Sequence, residues 1–312
     1  MPRPACQGYI MPENADLFPG FQSEWIDTDG GRFFARVGGK GPALLLLHGY
    51  PQTHVMWHRL APGLSERFTL IMPDLPGYGW SFVPRAADDH RPHSKRVWAA
   101  ALVDLMERLG HVRFGVIGHD RGARTAYRMA LDHPGRIDRL ALLDIIPTEA
   151  MWTGMTAKLA MKSYHWLFLA QPHPLPETLI GKDPDFYLDW TLASWTATSD
   201  LSAFDHRALA QYRAGFRSPD RIRSACEDYR AGQSVDLADD QADLETGKKI
   251  TVPLLALWGE RGFPGETSGP LSIWQRWGDE VTGAAITSGH FLAEENPGEA
   301  LTSLLHFFAP EA

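Results

Sequence analysis

The sequence predicts an α/β fold, a mostly parallel central sheet flanked by helices, with a helical cap inserted into it. Three observations lead there. Short apolar runs occupy residues 43–47, 114–117, 140–143 and 254–258, each followed by polar or glycine residues. Helix-length stretches, residues 95–109 and 121–133, lie between them, and Pro134-Gly135 stops the second. After Pro147 the pattern changes to a segment rich in aromatic residues and prolines with no clear strand.

The four runs are short and continuous, so they read as strands buried on both faces. Strands alternating with helices imply a parallel sheet covered on both sides. Residues 148–247 carry helical periods instead, for example across 152–169, and strand signal returns at 250–258. The expected organisation is therefore 1–147 for the first part of the core, 148–247 for the cap and 248–312 for the second part.

The chain has 312 residues, enough for two average domains or one large α/β domain with an insertion. Hydrophobic residues at 44% and charged residues at 22% exclude a disordered chain or a coiled coil. The 38 acids against 30 bases leave a net charge of −8, which argues against a broad nucleic-acid surface. Two cysteines, Cys6 and Cys226, cannot form a disulfide framework. No apolar run approaches membrane-span length, and residues 1–20 lack the apolar core of a signal peptide. A soluble cytoplasmic enzyme is expected, with no nucleic-acid or membrane partner.

The run Gly118-His119-Asp120-Arg121-Gly122 follows a predicted strand and opens a predicted helix. It has the form G-x-D-x-G, which resembles the G-x-S-x-G nucleophile elbow of the α/β-hydrolase fold. His48-Gly49-Tyr50-Pro51, after the 43–47 strand, stands where an oxyanion loop belongs, so the backbone N–H groups of Tyr50 and Arg121 are expected to face one point. Ser288-Gly289-His290-Phe291 stands where the base histidine belongs. Asp74-Leu-Pro-Gly-Tyr-Gly79 adds a further loop of this kind. Each piece alone is commonplace; their order and their placement at strand ends carry the reading.

An aspartate at the elbow changes the chemistry. A carboxylate is already ionised and suits in-line displacement at a saturated carbon, which leaves an aspartyl ester. Water must then cleave that ester, with a histidine as base and a second carboxylate orienting it. His290 fits as the base. Asp144, ending the 140–143 strand, fits as the orienting acid, and Glu260, ending the next strand, competes with it. Arg121 and Arg124 fall on one face at the start of the helix, where a carboxylate could be gripped in bidentate fashion. A substrate bearing a carboxylate beside the attacked carbon is expected.

The run Gly118-His-Asp-Arg-Gly-Ala-Arg124 resembles the fluoroacetate (haloacetate) dehalogenases of the α/β-hydrolase superfamily. So do Tyr164-His-Trp-Leu-Phe-Leu-Ala-Gln-Pro172, Asp183-Pro-Asp-Phe-Tyr187, Leu192-Ala-Ser-Trp195, Cys226-Glu-Asp-Tyr229-Arg-Ala-Gly232 and Gly289-His-Phe-Leu292. The resemblance runs from about Met11 onward, with residues 1–10 and 262–269 peculiar to this chain. It implies that Asp120 displaces halide from the α-carbon, that Arg121 and Arg124 hold the carboxylate, and that His290 with Asp144 activates water. It implies His165, Trp166 and Tyr229 around the leaving halide and Trp195 shaping the pocket. Glycolate would be the product, no metal or organic cofactor would be needed, and the chain would be a homodimer.

The physics of the cap residues agrees with this. Fluoride is small and strongly hydrated, so a dry pocket must offer hydrogen-bond donors in place of water, and indole, phenol and imidazole are such donors. Three other readings stay open. An epoxide hydrolase uses the same nucleophile with cap tyrosines, and Tyr164, Tyr187, Tyr212 and Tyr229 are available, although a neutral epoxide has no use for the two arginines. A dehalogenase could prefer chloro- or bromo-substituted 2-haloacids. A binding protein could keep the fold without catalysis.

Overall fold

The computed structural model describes residues 16–267 and 269–309. The peculiar first ten residues, with Cys6, and the first part of the expected leader-free terminus lie outside the described residues.

Among the described residues, eight strands form one sheet: β1 (Gln22–Thr28), β2 (Gly31–Gly39), β3 (Ala43–Leu47), β4 (Thr69–Pro73), β5 (Phe114–His119), β6 (Ile137–Leu143), β7 (Leu254–Gly259) and β8 (Val281–Ile286). The spatial order is β1-β2-β4-β3-β5-β6-β7-β8. β1 and β2 form an antiparallel hairpin, and β2 pairs antiparallel with β4. The other neighbours are parallel. β3 and β5 are buried along their whole length because helices cover both faces.

The core helices are α1 (Ala61–Ser65), α2 (Lys95–Arg108), α3 (Arg121–Asp132), and then α12 (Pro270–Trp274), α13 (Leu292–Glu295) and α14 (Pro297–Phe308) after the cap. Ser94 caps α2 by accepting the Val97 N–H, and Asn296 caps α14 with Pro297 in the first turn. Between β6 and β7 lies the cap: α4 (Thr148–Thr153), α5 (Ala157–Lys162), α6 (Tyr164–Leu169), α7 (Leu175–Ile180), α8 (Pro184–Trp195), α9 (His206–Phe216), α10 (Pro219–Gln233) and α11 (Val235–Thr246).

The helical signal across 152–169 resolves into three short helices. Gly154 ends α4, and the Thr156 side chain starts α5 by accepting the Leu159 N–H at 3.2 Å. Ser163 then turns its hydroxyl back to the Leu159 carbonyl at 2.6 Å, at the joint before α6. β1, β2, β4 and β8 were absent from the apolar runs. β1 and β8 are largely half-buried or exposed, so they never needed a continuous apolar run. β4 is short and ends in proline.

The strand order reverses between β3 and β5, with β4 on one side and β6 on the other. Ligands of open α/β sheets bind beyond the carboxyl ends of the strands at such a reversal. Leu47 pairs with Gly118 and His119 with Leu143, so β3, β5 and β6 end within one residue of each other, while β7 runs two residues past its pairing of Leu257 with Leu143. Only Asp120 separates β5 from α3, at φ 47° and ψ −115°. This turn needs very small neighbours. A methyl group on Gly122 would stand 2.3 Å from the Leu47 and His48 carbonyl oxygens. Gly122→Ala should therefore destabilise the fold by about 2–3 kcal/mol, through overpacking against backbone that cannot yield. Thermal unfolding would show this as a Tm lower by several degrees.

Candidate active site

Asp120 stands at the tip of the elbow. The Tyr50 N–H, on the loop after β3, donates to its Oδ1 at 2.8 Å. Among the described residues, the Arg121 N–H makes no hydrogen bond to this carboxylate. A buried polar network sets the Tyr50 loop. His48 accepts the Leu75 N–H on Nε2 at 2.9 Å, and its Nδ1 donates to the Gly49 carbonyl at 3.0 Å. Asp74 Oδ1 accepts from the His54 backbone at 2.9 Å and its ring at 2.8 Å, and Oδ2 accepts the Trp80 N–H at 2.8 Å. Asp74 therefore acts as a bracket for the loops under the site.

His290 Nδ1 lies 2.6 Å from Asp144 Oδ2, and Asp144 Oδ1 accepts the Gly259 N–H at 2.8 Å. Asp144 is buried and holds a positive φ of 53°. Glu260, the competing acid, is exposed. His290 Nε2 is buried with no hydrogen-bond partner among the described residues. Asp120, Asp144 and His290 line one pocket of about 500 Å³ including its mouth. On the cap side the same pocket is lined by His165, Trp166 and Trp195.

The two arginines part company. Arg124 lines the pocket. Its Nη1 donates to the Ile146 carbonyl and to Thr148 Oγ1, both at 3.0 Å, and its Nε is buried without a partner among the described residues. Arg121 is fully buried, does not line the pocket, and is already paired. Its Nε donates to Asp228 Oδ2 at 2.9 Å and its Nη2 to the Asp228 carbonyl at 2.8 Å, with a further ion pair to Asp228 Oδ1. A free bidentate fork on Arg121 is thus corrected by the structure: an acid from α10 occupies it, and only Nη1 lacks a partner. Lys95 also pairs with Asp228. Sequence reasoning passed over Asp228, although it stands directly before Tyr229, because a lone helix acid carries no signal of its own.

His165, Trp166 and Tyr229 lie close to one another. The Tyr229 ring lies 5.5 Å from His165 and 5.8 Å from Trp166. Arg121 stacks 4.3 Å over Tyr229, and Arg124 stacks 4.5 Å over Trp166. Tyr229 lies behind the pocket lining, with its hydroxyl buried and unpartnered among the described residues. Trp195 packs 4.3 Å from His165 and 5.3 Å from His290. Pocket residues with no sequence signal include Ile145 after β6, Met151, Lys162 and Ser163 from the cap, and Arg261, Gly262 and Phe263 from the β7 loop. No group of three or more His, Cys, Asp or Glu side chains among the described residues is placed to hold a metal ion. No helix among them is long and apolar enough to cross a membrane.

The electrostatics follow from burial and charge. Burial opposes ionisation of Asp120, but His290 and the two arginines outweigh it and hold its carboxyl below the usual range. Burial also disfavours a charged His290, yet the hydrogen bond to and charge of Asp144, with Asp120 and Glu295, raise it above the ordinary imidazole value. Burial lowers His165 to about 3, so its ring is neutral near pH 7. Burial and the Asp120 charge push the Tyr229 hydroxyl well above its usual range, so it stays protonated.

The α/β hydrolase fold family model matches residues 42–297. The chain belongs to the α/β-hydrolase family. This α/β hydrolase is 40% identical to a fluoroacetate dehalogenase of Burkholderia sp., over 94% of this chain and 95% of the relative. It is 33% identical to a soluble epoxide hydrolase of Corynebacterium sp. strain C12, over 90% and 95% of the two chains. A solved α/β hydrolase of Nostoc sp. PCC 7120 superposes with a TM-score of 0.90 at 46% identity, covering 93% of this chain and 98% of that one.

The histidines of this α/β hydrolase yield a titration test. His48 lies at about 4, and His119 and His165 at about 3, all lowered first by burial. Their rings should stay neutral at pH 5 in NMR spectra, while His290 titrates above its ordinary value. Between about pH 6.5 and 4 the unfolded chain binds more protons at these three sites, so stability should fall as pH drops through that window. His290 acts in the opposite sense, contributing stability that is lost as pH rises through its folded value. Denaturant unfolding at several pH values measures the balance.

Proposed function

We propose that this α/β hydrolase is a haloacetate dehalogenase that accepts fluoroacetate. The observation that carries the reading is the Arg124 guanidinium, which lines the pocket on the helix that starts at Asp120 and keeps its Nε buried without a partner among the described residues; Arg121 Nη1, outside the pocket lining, is a second such nitrogen on that helix. Buried cationic donors call for an anion. A carboxylate held by Arg124 sets its α-carbon beside Asp120, which lines the same pocket, whereas a neutral epoxide would leave the Arg124 nitrogen unmet. The relation to a fluoroacetate dehalogenase supports the same choice.

In this mechanism Asp120 Oδ1 keeps its bond to the Tyr50 N–H and Oδ2 attacks the α-carbon. The carbon–halogen bond breaks and the halide leaves with its electron pair. The neutral His165 ring, the Trp166 indole and the Tyr229 hydroxyl supply N–H and O–H donors around it. Such donors lower the barrier by about 3 kcal/mol each when aimed at developing charge in a dry site. The product of this step is an aspartyl ester of glycolate.

His290 Nε2 then takes a proton from water, and the oxygen of that water attacks the ester carbonyl. Negative charge develops on Oδ1, where the Tyr50 N–H already points. Asp144 holds the imidazole in register and stabilises its protonated form. Collapse releases glycolate and regenerates Asp120, so haloacetate and water give glycolate, halide and a proton.

Purified protein should release fluoride from fluoroacetate and chloride from chloroacetate. Chloride alone would retain Asp120 and the arginines but remove the fluoride-stabilising role of the cap donors. Turnover of styrene oxide with no halide from either acid would establish the epoxide alternative, and tight haloacetate binding with no release would establish a binding protein. His290→Asn should stop after the first step, and mass spectrometry should then find the ester on Asp120. Arg124→Ala should raise KM for haloacetates by about tenfold or more, for loss of a charged hydrogen bond. Activity should decline in acid with a midpoint above the ordinary imidazole value, because protonated His290 cannot accept a proton.

A further inference from the structure

His290 sits on a bend between β8 and α13, outside any regular ladder. Its ring is tied to Asp144, but its backbone needs other partners. Three consecutive N–H groups find them in only two places. The His290 N–H donates to the Trp195 carbonyl at 2.9 Å. The Gly289 N–H donates to Glu295 Oε2 at 2.9 Å, and the Phe291 N–H donates to Glu295 Oε1 at 2.9 Å. Glu295 Oε2 also accepts the Ala197 N–H from the turn after α8 of the cap, at 2.7 Å. The approach is close: a methyl on Gly289 would lie 2.5 Å from the Ala197 nitrogen and the Trp195 oxygen.

We propose that Glu295 is a positioning residue for ester hydrolysis, one carboxylate that fixes the His290 loop and the Trp195 end of α8 as a single unit. Glu295 is half-buried and lies outside the pocket lining, so it acts through its neighbours. Trp195 is both a pocket wall and the partner of the His290 N–H, so one carboxylate sets the base and the wall together. The first step draws on Asp120 and the arginines, none of which Glu295 touches. The second draws on His290, whose angle to the ester depends on the braced loop, and small misplacements of a base are costly.

This proposal rests on the dehalogenase reading for its kinetic arm and is tested separately from it. Glu295→Gln keeps one acceptor oxygen and loses the charge; Glu295→Ala loses both. With a haloacetate that the unaltered protein turns over, each variant should release a burst of one halide per site at the unaltered rate. Steady-state kcat should then fall by about tenfold in Glu295→Gln and more in Glu295→Ala, with ester accumulating on Asp120. Unchanged kcat, or a burst slowed equally with no ester, would overturn the role.

The second arm needs no substrate. The titratable groups around His290 are Asp144, Asp120, His119, His165 and Glu295. Removing the Glu295 charge while the other four stay should move the NMR titration midpoint of the His290 ring downward and shift its ring signals. An unmoved midpoint and unmoved signals would overturn the positioning itself. Failure of the unaltered protein to release any halide would overturn the dehalogenase reading alone.

Discussion

A carboxylate held at positive φ between the last residue of β5 and the first of α3 is the constraint on which the site depends. Asp120 has no freedom there: its backbone O accepts the Arg124 N–H at 3.1 Å, and its backbone N–H reaches the Leu143 carbonyl at 3.3 Å. The strained turn lifts the side chain above the sheet, toward the ends of three neighbouring strands. Tyr50 and Asp144 come from those ends, and His290 from the loop after β8. The parallel register levels the strand ends, so groups far apart in sequence meet without a long side chain among them.

The cap is tied to this centre by charge as well as by apolar packing. Asp228 on α10 holds Arg121 of the core, and Lys95 and the Tyr78 hydroxyl reach the same acid. A second buried set, Arg128 with Asp240 and Asp243, joins α3 to α11. Removing one partner of such a pair strands a buried charge, which costs several kcal/mol. These pairs therefore specify how the cap seats on the core. Arg121 shows the consequence: its pairing leaves one nitrogen without a partner among the described residues, where a free guanidinium would offer a fork.

The titratable groups sort themselves by environment. His48, His119 and His165 are buried where desolvation dominates, so they are neutral near pH 7. His290 is equally enclosed but faces carboxylates, and the balance reverses. One residue type is thus held neutral at three buried positions and raised at a fourth within one part of the fold. The neighbours, and not the side chain, decide which.

Much of the fold was legible because its signals are local. The apolar runs of β3, β5, β6 and β7, the helix between β5 and β6, and the change of pattern after Pro147 are written in adjacent residues. The elbow was legible for the same reason, since the turn, Asp120 and the first arginine are contiguous. β1 and β8 escaped notice because strands only partly buried need no continuous apolar run. Asp228, Glu295, Met151 and Phe263 escaped because nothing near them in sequence marks them. The sequence by itself determined the class of fold, the elbow and the residue types gathered at strand ends. Only the tertiary structure decided which nitrogen of Arg121 stays unpaired, because that depends on an acid 107 residues away. It likewise decided that Asp144 and not Glu260 meets His290, because both end strands and only the packing turns one of them inward.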